Sequence, residues 1–433
     1  MPEKPLLSSR PTRIFKNFGL LLSGRVGAAI MTVVTMGLMT RTLGVERFGL
    51  VVLVHTYILI INGFCSTKAF EAIVKFGLQA KLRKDTTGLI NLLNCSLLVD
   101  QIFAIVSCGL AILIAPFIAS ALEVDATFIA WVNTYALVLL FTGTSTAKGV
   151  LRLYDRFADL GLQLALGPLL RLLLAVLAWW QGWAEIGFLF AWAMGFLLEN
   201  LVLHWQSWRQ LRREGLITRK RDAKFPELNQ QHEKIGSFVG VTYIQGTLDL
   251  LPKQIATLLS GLFLGASAAG LFRVAKEVAT VVSKPALLLR QAVFTDLSRL
   301  WETNDPNFMR VAMKTAWVSG LAGLGLMLLM IPFGRDVLQL LFGAEYIPAH
   351  EVMLVLLGAA SIELATSSLH MAVYAMNKAT KIVLVNVLAT LLYLGCFAIF
   401  APIYGLSVAG WAALLMATIS LCGAYILVKN KAV

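Results

Sequence analysis

Thr242, Gln245, Asp249 and Lys253 stand at spacings of 3, 7 and 11 inside a stretch that is otherwise apolar. At about 100° per residue, those spacings put all four on one face of a helix. A second stretch repeats the device with Arg273, Glu277, Thr280 and Lys284 at 4, 7 and 11, and Lys276 lies close to that stripe. A third carries Glu363, Thr366, Ser367, His370 and Tyr374, again one-sided. In the first half His55, Asn62 and Ser66 align at 7 and 11, and Arg25 sits in an earlier apolar segment. Ionisable side chains are costly in hydrocarbon, so within an apolar span they point to function by default. Cations there can draw an anion toward the membrane midplane, and a carboxylate can carry a proton or a sodium ion. The candidate substrate-binding residues are therefore Arg25, Lys253, Arg273, Lys276 and Lys284, and the candidate ion-coupling residues are Asp249, Glu277 and Glu363.

Plainer roles compete at each position. The Thr, Ser and Asn members of the stripes read as helix–helix hydrogen bonds. Glu277, four residues from Arg273, fits an ion pair as well as a proton carrier. Asp100, Arg171 and Glu199 also fall inside apolar spans, where they can bridge between halves or snorkel. Pro252 and Pro285 stand beside Lys253 and Lys284, and helix breaks are expected there. Catalytic patterns are missing: there is no metal-ligand spacing, nucleotide loop or Ser-His-Asp arrangement, and the five His residues are scattered. The five cysteines form no C-x-x-C pair and read as buried small side chains rather than disulfides or metal ligands. No enzyme, metal or cofactor is expected beyond the coupling ion.

These residues need helices in a membrane to position them. The chain of 433 residues is 58% hydrophobic and 14% charged, with mean hydropathy +0.76, as expected where lipid is the solvent. Its net charge of +13 lies mostly between apolar spans, which excludes a nucleic-acid surface. Twelve spans are expected, near 17–39, 49–67, 91–119, 128–147, 160–181, 186–205, 236–262, 270–297, 311–333, 350–374, 380–401 and 406–427. The basic start (Lys4, Arg10, Arg13, Lys16) resembles a signal-peptide n-region, but the segment after it is too long and has no clear cleavage site, so it reads as retained. Leu43, Gly44, Gly49 and Leu50 recur as Leu264, Gly265, Gly270 and Leu271, and Pro116, Phe117 and Leu122 recur as Pro332, Phe333 and Leu338. Two echoes in one order suggest a duplicated bundle of the kind secondary transporters use. The fold expected is all-α and integral to the membrane, with a first lobe over 17–205 and a second over 236–427. A basic tail (1–16), a basic linker (206–235) and a short tail (428–433) complete the expected organisation.

Orientation follows from the basic residues. Lys75, Lys81, Arg83, Lys84, Arg152, Arg156, the run from Arg209 to Lys224, Arg299, Lys378, Lys381, Lys429 and Lys431 fall on one side. Arg41, Arg47 and Arg335 face Glu123, Asp125, Glu185, Asp336 and Glu345 on the other. The positive-inside rule puts both termini in the cytoplasm. The linker's basic run reads as a topology anchor, with anionic lipid heads as the alternative ligand.

R-T-L-G-V-E-R-F-G-L at 41–50, Asp249, F-L-G-x-x-x-x-G-L-F at 263–272, D-L-S-R-L at 296–300, L-L-F-G-A-E-Y at 340–346 and A-P-I-Y-G-L-S-V-A-G-W-A-A at 401–413 form an ordered set. The set resembles the Wzx-type flippases of polysaccharide and O-antigen repeat units, in the superfamily that also holds the multidrug exporters and the lipid II flippase. The resemblance implies twelve helices in two six-helix lobes, a central cavity and alternating access. It also implies a polyprenyl-diphosphate-linked oligosaccharide as cargo, the bacterial inner membrane as location, and membrane lipids, a polysaccharide polymerase and a chain-length regulator as partners. Two positions depart from the family: Leu250 follows Asp249 where many members have a basic residue, and Phe272 replaces a frequent Tyr.

Three rivals remain at this point. A multidrug exporter would share the fold, but organic cations favour an acidic cavity and here the cations predominate. A scaffold for a glycan-assembly complex would not require the intramembrane stripes. A flippase of peptidoglycan precursor usually has spans beyond the twelve.

Overall fold

The computed structural model describes residues 10–67, 70–216, 225, 235–283, 297, 299–303, 305–376 and 378–430, and for residues 10–26, 241, 245, 248–253, 281–283 and 379 it describes the backbone alone. All regular structure among these residues is helical. α1 (Arg10–Phe64), α2 (Phe70–Leu82), α3 (Thr86–Ala121), α4 (Ala126–Ala136), α5 (Ser145–Leu153), α6 (Phe157–Trp180) and α7 (Glu185–Arg213) come first. They are followed by α8 (Ile235–Ser283), α9 (Phe308–Phe342), α10 (His350–Ala375), α11 (Ala379–Tyr404) and α12 (Ser407–Lys429). Short 3₁₀ segments occupy Leu137–Phe141 and Ala344–Ala349.

Ten segments of the described chain are long and apolar enough to cross a membrane. Two of them contain a single non-helical glycine: Gly44 in α1, at φ 73°, and Gly265 in α8, at φ 85°. The left-handed region is open to glycine at little cost and to other L-residues at a penalty. Taken over the full helices, residues 10–43 and 45–64 of α1 and residues 235–264 and 266–283 of α8 each reach the length that spans hydrocarbon. Divided there, the described helices supply the twelve spans expected, and the two dividing glycines are the first glycines of the two L-G-x-x-x-x-G-L copies.

Side chains are distributed as lipid demands. On α3 the small residues Ala104, Ser107, Cys108, Ala111, Ala115 and Ala119 are buried, while Ile102, Ile105, Leu113 and Phe117 are exposed. Lipid tails are as apolar as leucine, so burying large side chains gains little; small ones let backbones approach and gain packing. One such approach lets the Tyr57 hydroxyl donate to the Ala111 carbonyl at 2.7 Å. Exposed tryptophans mark the two interfaces along α6 and α7. Trp179, Trp180 and Trp183 lie at the turn between the helices, and Trp205 and Trp208 lie toward the end of α7. From Glu185 to Trp205 the helix rises about 30 Å, the thickness of a hydrocarbon core. Beyond that level Arg209 stacks on Trp205 and Arg212 on Trp208, each 5.4 Å from the ring centroid. Aromatic rings beside cations are what the headgroup layer favours.

The structure departs from expectation at four places. The second span ends at Phe64 and is followed by a separate amphipathic helix, α2, whose buried face holds Ala72, Ile73, Phe76 and Ala80. The fourth span is discontinuous: α4 tightens into a 3₁₀ segment, residues 142–144 are non-helical, and α5 begins at Ser145. α7 continues to Arg213, past the end expected near residue 205. No break occurs at Pro252; α8 runs through it and breaks at Gly265 instead. A proline removes one donor, which a membrane helix tolerates, whereas a positive φ cannot be continued as helix. Pro285 and Lys284 lie outside the described residues, as do residues 1–9, most of the expected linker and the last three residues.

By contacts the chain forms two compact units, Met1–Thr42 with Val54–Leu251, and Leu43–Leu53 with Pro252–Val433.

Candidate functional site

The second unit holds the described part of the cationic stripe. Directly after the Gly265 break, α8 carries Arg273, Lys276 and Glu277. The Arg273 guanidinium meets the Glu277 carboxylate at 3.4 Å, one turn apart. Both side chains are largely buried, at 16% and 11% exposure, so water screens the pair weakly. Lys276 lies on the adjacent face, its ammonium 5.9 Å from the Phe272 ring centroid. Two cations and one carboxylate leave this turn with one net positive charge. The Thr280 hydroxyl donates to the Lys276 carbonyl, a bond within its own helix. Thr242 likewise donates to Val239.

The stripe on α10 does not hold together as one polar face. Glu363 is exposed, whereas Thr366 and Ser367 are buried and donate to carbonyls of their own helix, at Ile362 and Leu364. His370 instead joins a chain across three helices: its Nε2 lies 3.3 Å from the Ser420 hydroxyl on α12, which donates to Asn386 on α11 at 2.7 Å. The sequence pattern does not single out Asn386 and Ser420, because neither belongs to a polar stripe at helical spacing. The side chains of Arg25, Asp249 and Lys253 are outside the described set, although their backbones lie in α1 and α8.

Three of the signature motifs meet inside the second unit. The two glycine-pair copies pack backbone to backbone: a Cβ added at Gly49 would fall 1.9 Å from the Ala266 carbonyl oxygen. One added at Gly270 would fall 2.9 Å from that of Val45. The third motif closes over the first. The buried Tyr346 hydroxyl donates to the Gly44 carbonyl at 3.1 Å, and its ring meets Phe48 edge-on with centroids 6.0 Å apart. Side-chain volume is excluded at this contact, which accounts for glycine at matching places in both copies.

The first unit contains three polar clusters. His55 Nδ1 is 2.7 Å from the Tyr135 hydroxyl, and the imidazole packs 4.4 Å from the Trp192 ring. On α6 and α7, Glu199 takes bonds from Arg171 at 3.2 Å and from Gln163 at 2.9 Å. Asp100, buried on α3, accepts from the Thr67 hydroxyl at 2.6 Å and from the Thr146 backbone amide at 2.7 Å. Among the described residues, no three of His, Cys, Asp and Glu converge to hold a metal ion.

A family profile described as "Polysaccharide biosynthesis protein" matches residues 14–301. The inner membrane protein YghQ of Escherichia coli (strain K12) is 26% identical over 343 residues, which cover 78% of this chain and 95% of YghQ. Among solved structures, the lipid II flippase MurJ in an inward closed conformation superposes with a TM-score of 0.74 at 13% identity, covering 95% of this chain and 87% of that one. A multidrug resistance MATE family transporter of the MOP superfamily, inward-facing, gives 0.69 at 14% identity, covering 95% and 93%. At such identities the likeness is one of fold.

Proposed function

The chain belongs to the polysaccharide biosynthesis protein family, and from that premise we propose that it flips a polyprenyl-diphosphate-linked oligosaccharide repeat unit across the bacterial inner membrane, by alternating access, for assembly of a surface polysaccharide. It is a multi-pass inner-membrane protein of the transporter type. The family match over residues 14–301 carries the reading. The net positive turn at Arg273, Lys276 and Glu277 supports it, because a diphosphate needs cationic partners away from bulk water. In the proposed cycle, Arg25, Lys253, Arg273, Lys276 and Lys284 draw in the diphosphate while the polyprenyl tail stays in lipid. Asp249, Glu277 or Glu363 takes up a proton or sodium ion that biases the cycle. The termini and the linker face the cytoplasm. A polysaccharide polymerase and a chain-length regulator act on the released unit.

Depletion of the protein tests the proposal. Lipid-linked glycans are collected from the depleted strain, and their sugars are labelled from each face of the membrane. Accumulation of one repeat unit on the cytoplasmic face is expected. Normal surface polysaccharide without such accumulation would refute the flippase reading and make drug export the next assay.

A further inference from the structure

Two adjacent spans of the first unit lose their helix at the same buried carboxylate. The second span ends at Phe64 and continues non-helically through residues 65–67; the fourth is non-helical at residues 142–144. Both stretches touch Asp100, which lies on α3 between them, about 21 Å from the start of that helix. Thr67 and Thr146 donate to the two carboxylate oxygens of Asp100, and the Ser145 hydroxyl donates to the Thr67 carbonyl, tying one break to the other. Gly143 lies against the Asp100 backbone, where a Cβ would stand 2.7 Å from its carbonyl oxygen. Beside the carboxylate is a cavity of about 10 Å³, bordered by Cys65, Ser66, Thr67, Thr142, Gly143 and Thr144, with Phe103 and Ala104 closing it.

Non-helical backbone at membrane depth persists where it is enclosed by protein or borders a polar cavity. Broken spans release carbonyl oxygens at the ends of their first halves, and an anionic side chain among such oxygens is the donor set of a small cation. A cavity of that size admits one water or one ion of similar radius. We propose that Asp100 and the two breaks form a sodium-binding site within the first unit, separate from the carboxylates of the second. The ion neutralises Asp100, and Ser66, Thr142 and Thr144 supply further oxygens. Among the described residues, the titratable groups facing this position are His204 on α7, which acts on Asp100, and Lys148 on α5, which acts on His204. His204 also meets the Phe141 carbonyl at 3.2 Å, at the end of the 3₁₀ segment before the break. Occupancy therefore bears on how the two halves of the fourth span are held.

The test uses the full-length protein in lipid nanodiscs without any lipid-linked substrate, so its outcome is independent of the flippase proposal. Thermal unfolding is followed while sodium replaces choline at constant ionic strength. A saturable upward shift of the midpoint is expected for the wild type and for Glu71→Gln, an exposed acid on α2. The shift should vanish in Asp100→Asn. Ser66→Ala combined with Thr144→Val keeps every hydrogen bond described for Asp100, and it should raise the sodium dissociation constant by about tenfold, a loss of ~1.4 kcal/mol. The proposal is overturned if sodium has no effect beyond choline, or if the shift persists unchanged in both altered proteins. It is equally overturned if acidification shifts the midpoint while sodium is inert, since the carboxylate then takes a proton only.

Discussion

Arg273 and Glu277 lie four residues apart on one helix, so their spacing alone brings them within reach, and the 3.4 Å contact follows. Arg273→Gln is expected to stop glycan export while the protein still reaches the membrane in normal amount; retained export would favour the scaffold reading. Exchanging the two, Arg273→Glu with Glu277→Arg, keeps the ion pair but moves the cation one turn, so stability should survive where transport does not. The pair at Arg171 and Glu199 separates stability from function in the opposite way. Arg171→Met leaves the Glu199 carboxylate with the Gln163 hydrogen bond and the more distant charge of Lys148, and should cost about 3–5 kcal/mol. Melting curves should show most of that loss recovered when Glu199→Met is added. If the double substitution melts lower than the single one, the pair is not held together by charge. Such pairs are hidden in the sequence because their members stand on different helices: Arg171 and Glu199 are 28 residues apart, and Thr67 and Asp100 are 33. The stripe that includes Glu363 is hard to read for another reason. Its spacing suggests a polar face, but Thr and Ser can satisfy themselves on their own helix and need not face the same way.

At the scale of elements, the twelve spans are legible in the sequence because twenty apolar residues between charged loops have few other uses. The breaks are not. Thr142, Gly143 and Thr144 resemble any weakly polar stretch of a membrane helix, and only contact with Asp100 identifies them as an interruption. Pro252 has the residue type of a hinge and is continuous helix, while the actual turning points are Gly44 and Gly265. These glycines and their partners Gly49 and Gly270 do different work, and alanine should distinguish them. At Gly265 nothing lies within 4 Å of the added Cβ, so Gly265→Ala should cost only the backbone penalty, about 1–2 kcal/mol. At Gly49 the methyl would overlap the Ala266 carbonyl, so Gly49→Ala should melt well below Gly265→Ala. Equal midpoints would mean that the backbone contact is not maintained in the membrane.

For the whole molecule, orientation is the property most open to direct measurement. In a cysteine-free background, a single cysteine at Asp125 should react with an impermeant maleimide from outside the cell. One at Lys84 or Arg156 should react only after the membrane is opened. The reverse pattern would invert the topology and with it the direction of the proposed transport. The repeated motif suggests a duplication, but the packing of the copies cannot be read from it, since a repeat states that two segments are alike and not that they touch. They do touch, and reciprocally: Gly49 faces Ala266, while Gly270 faces Val45. Val45 and Ala266 are the residues that follow Gly44 and Gly265, so exchanging the two copies maps the contact onto itself. Self-complementarity of this kind is the mark of an isologous interface, in which one patch binds its own duplicate. A half-length ancestor bearing a single copy would have formed this contact with a second molecule of itself. On that view the glycine contact began as the seam of a homodimer, and gene fusion enclosed it within one chain.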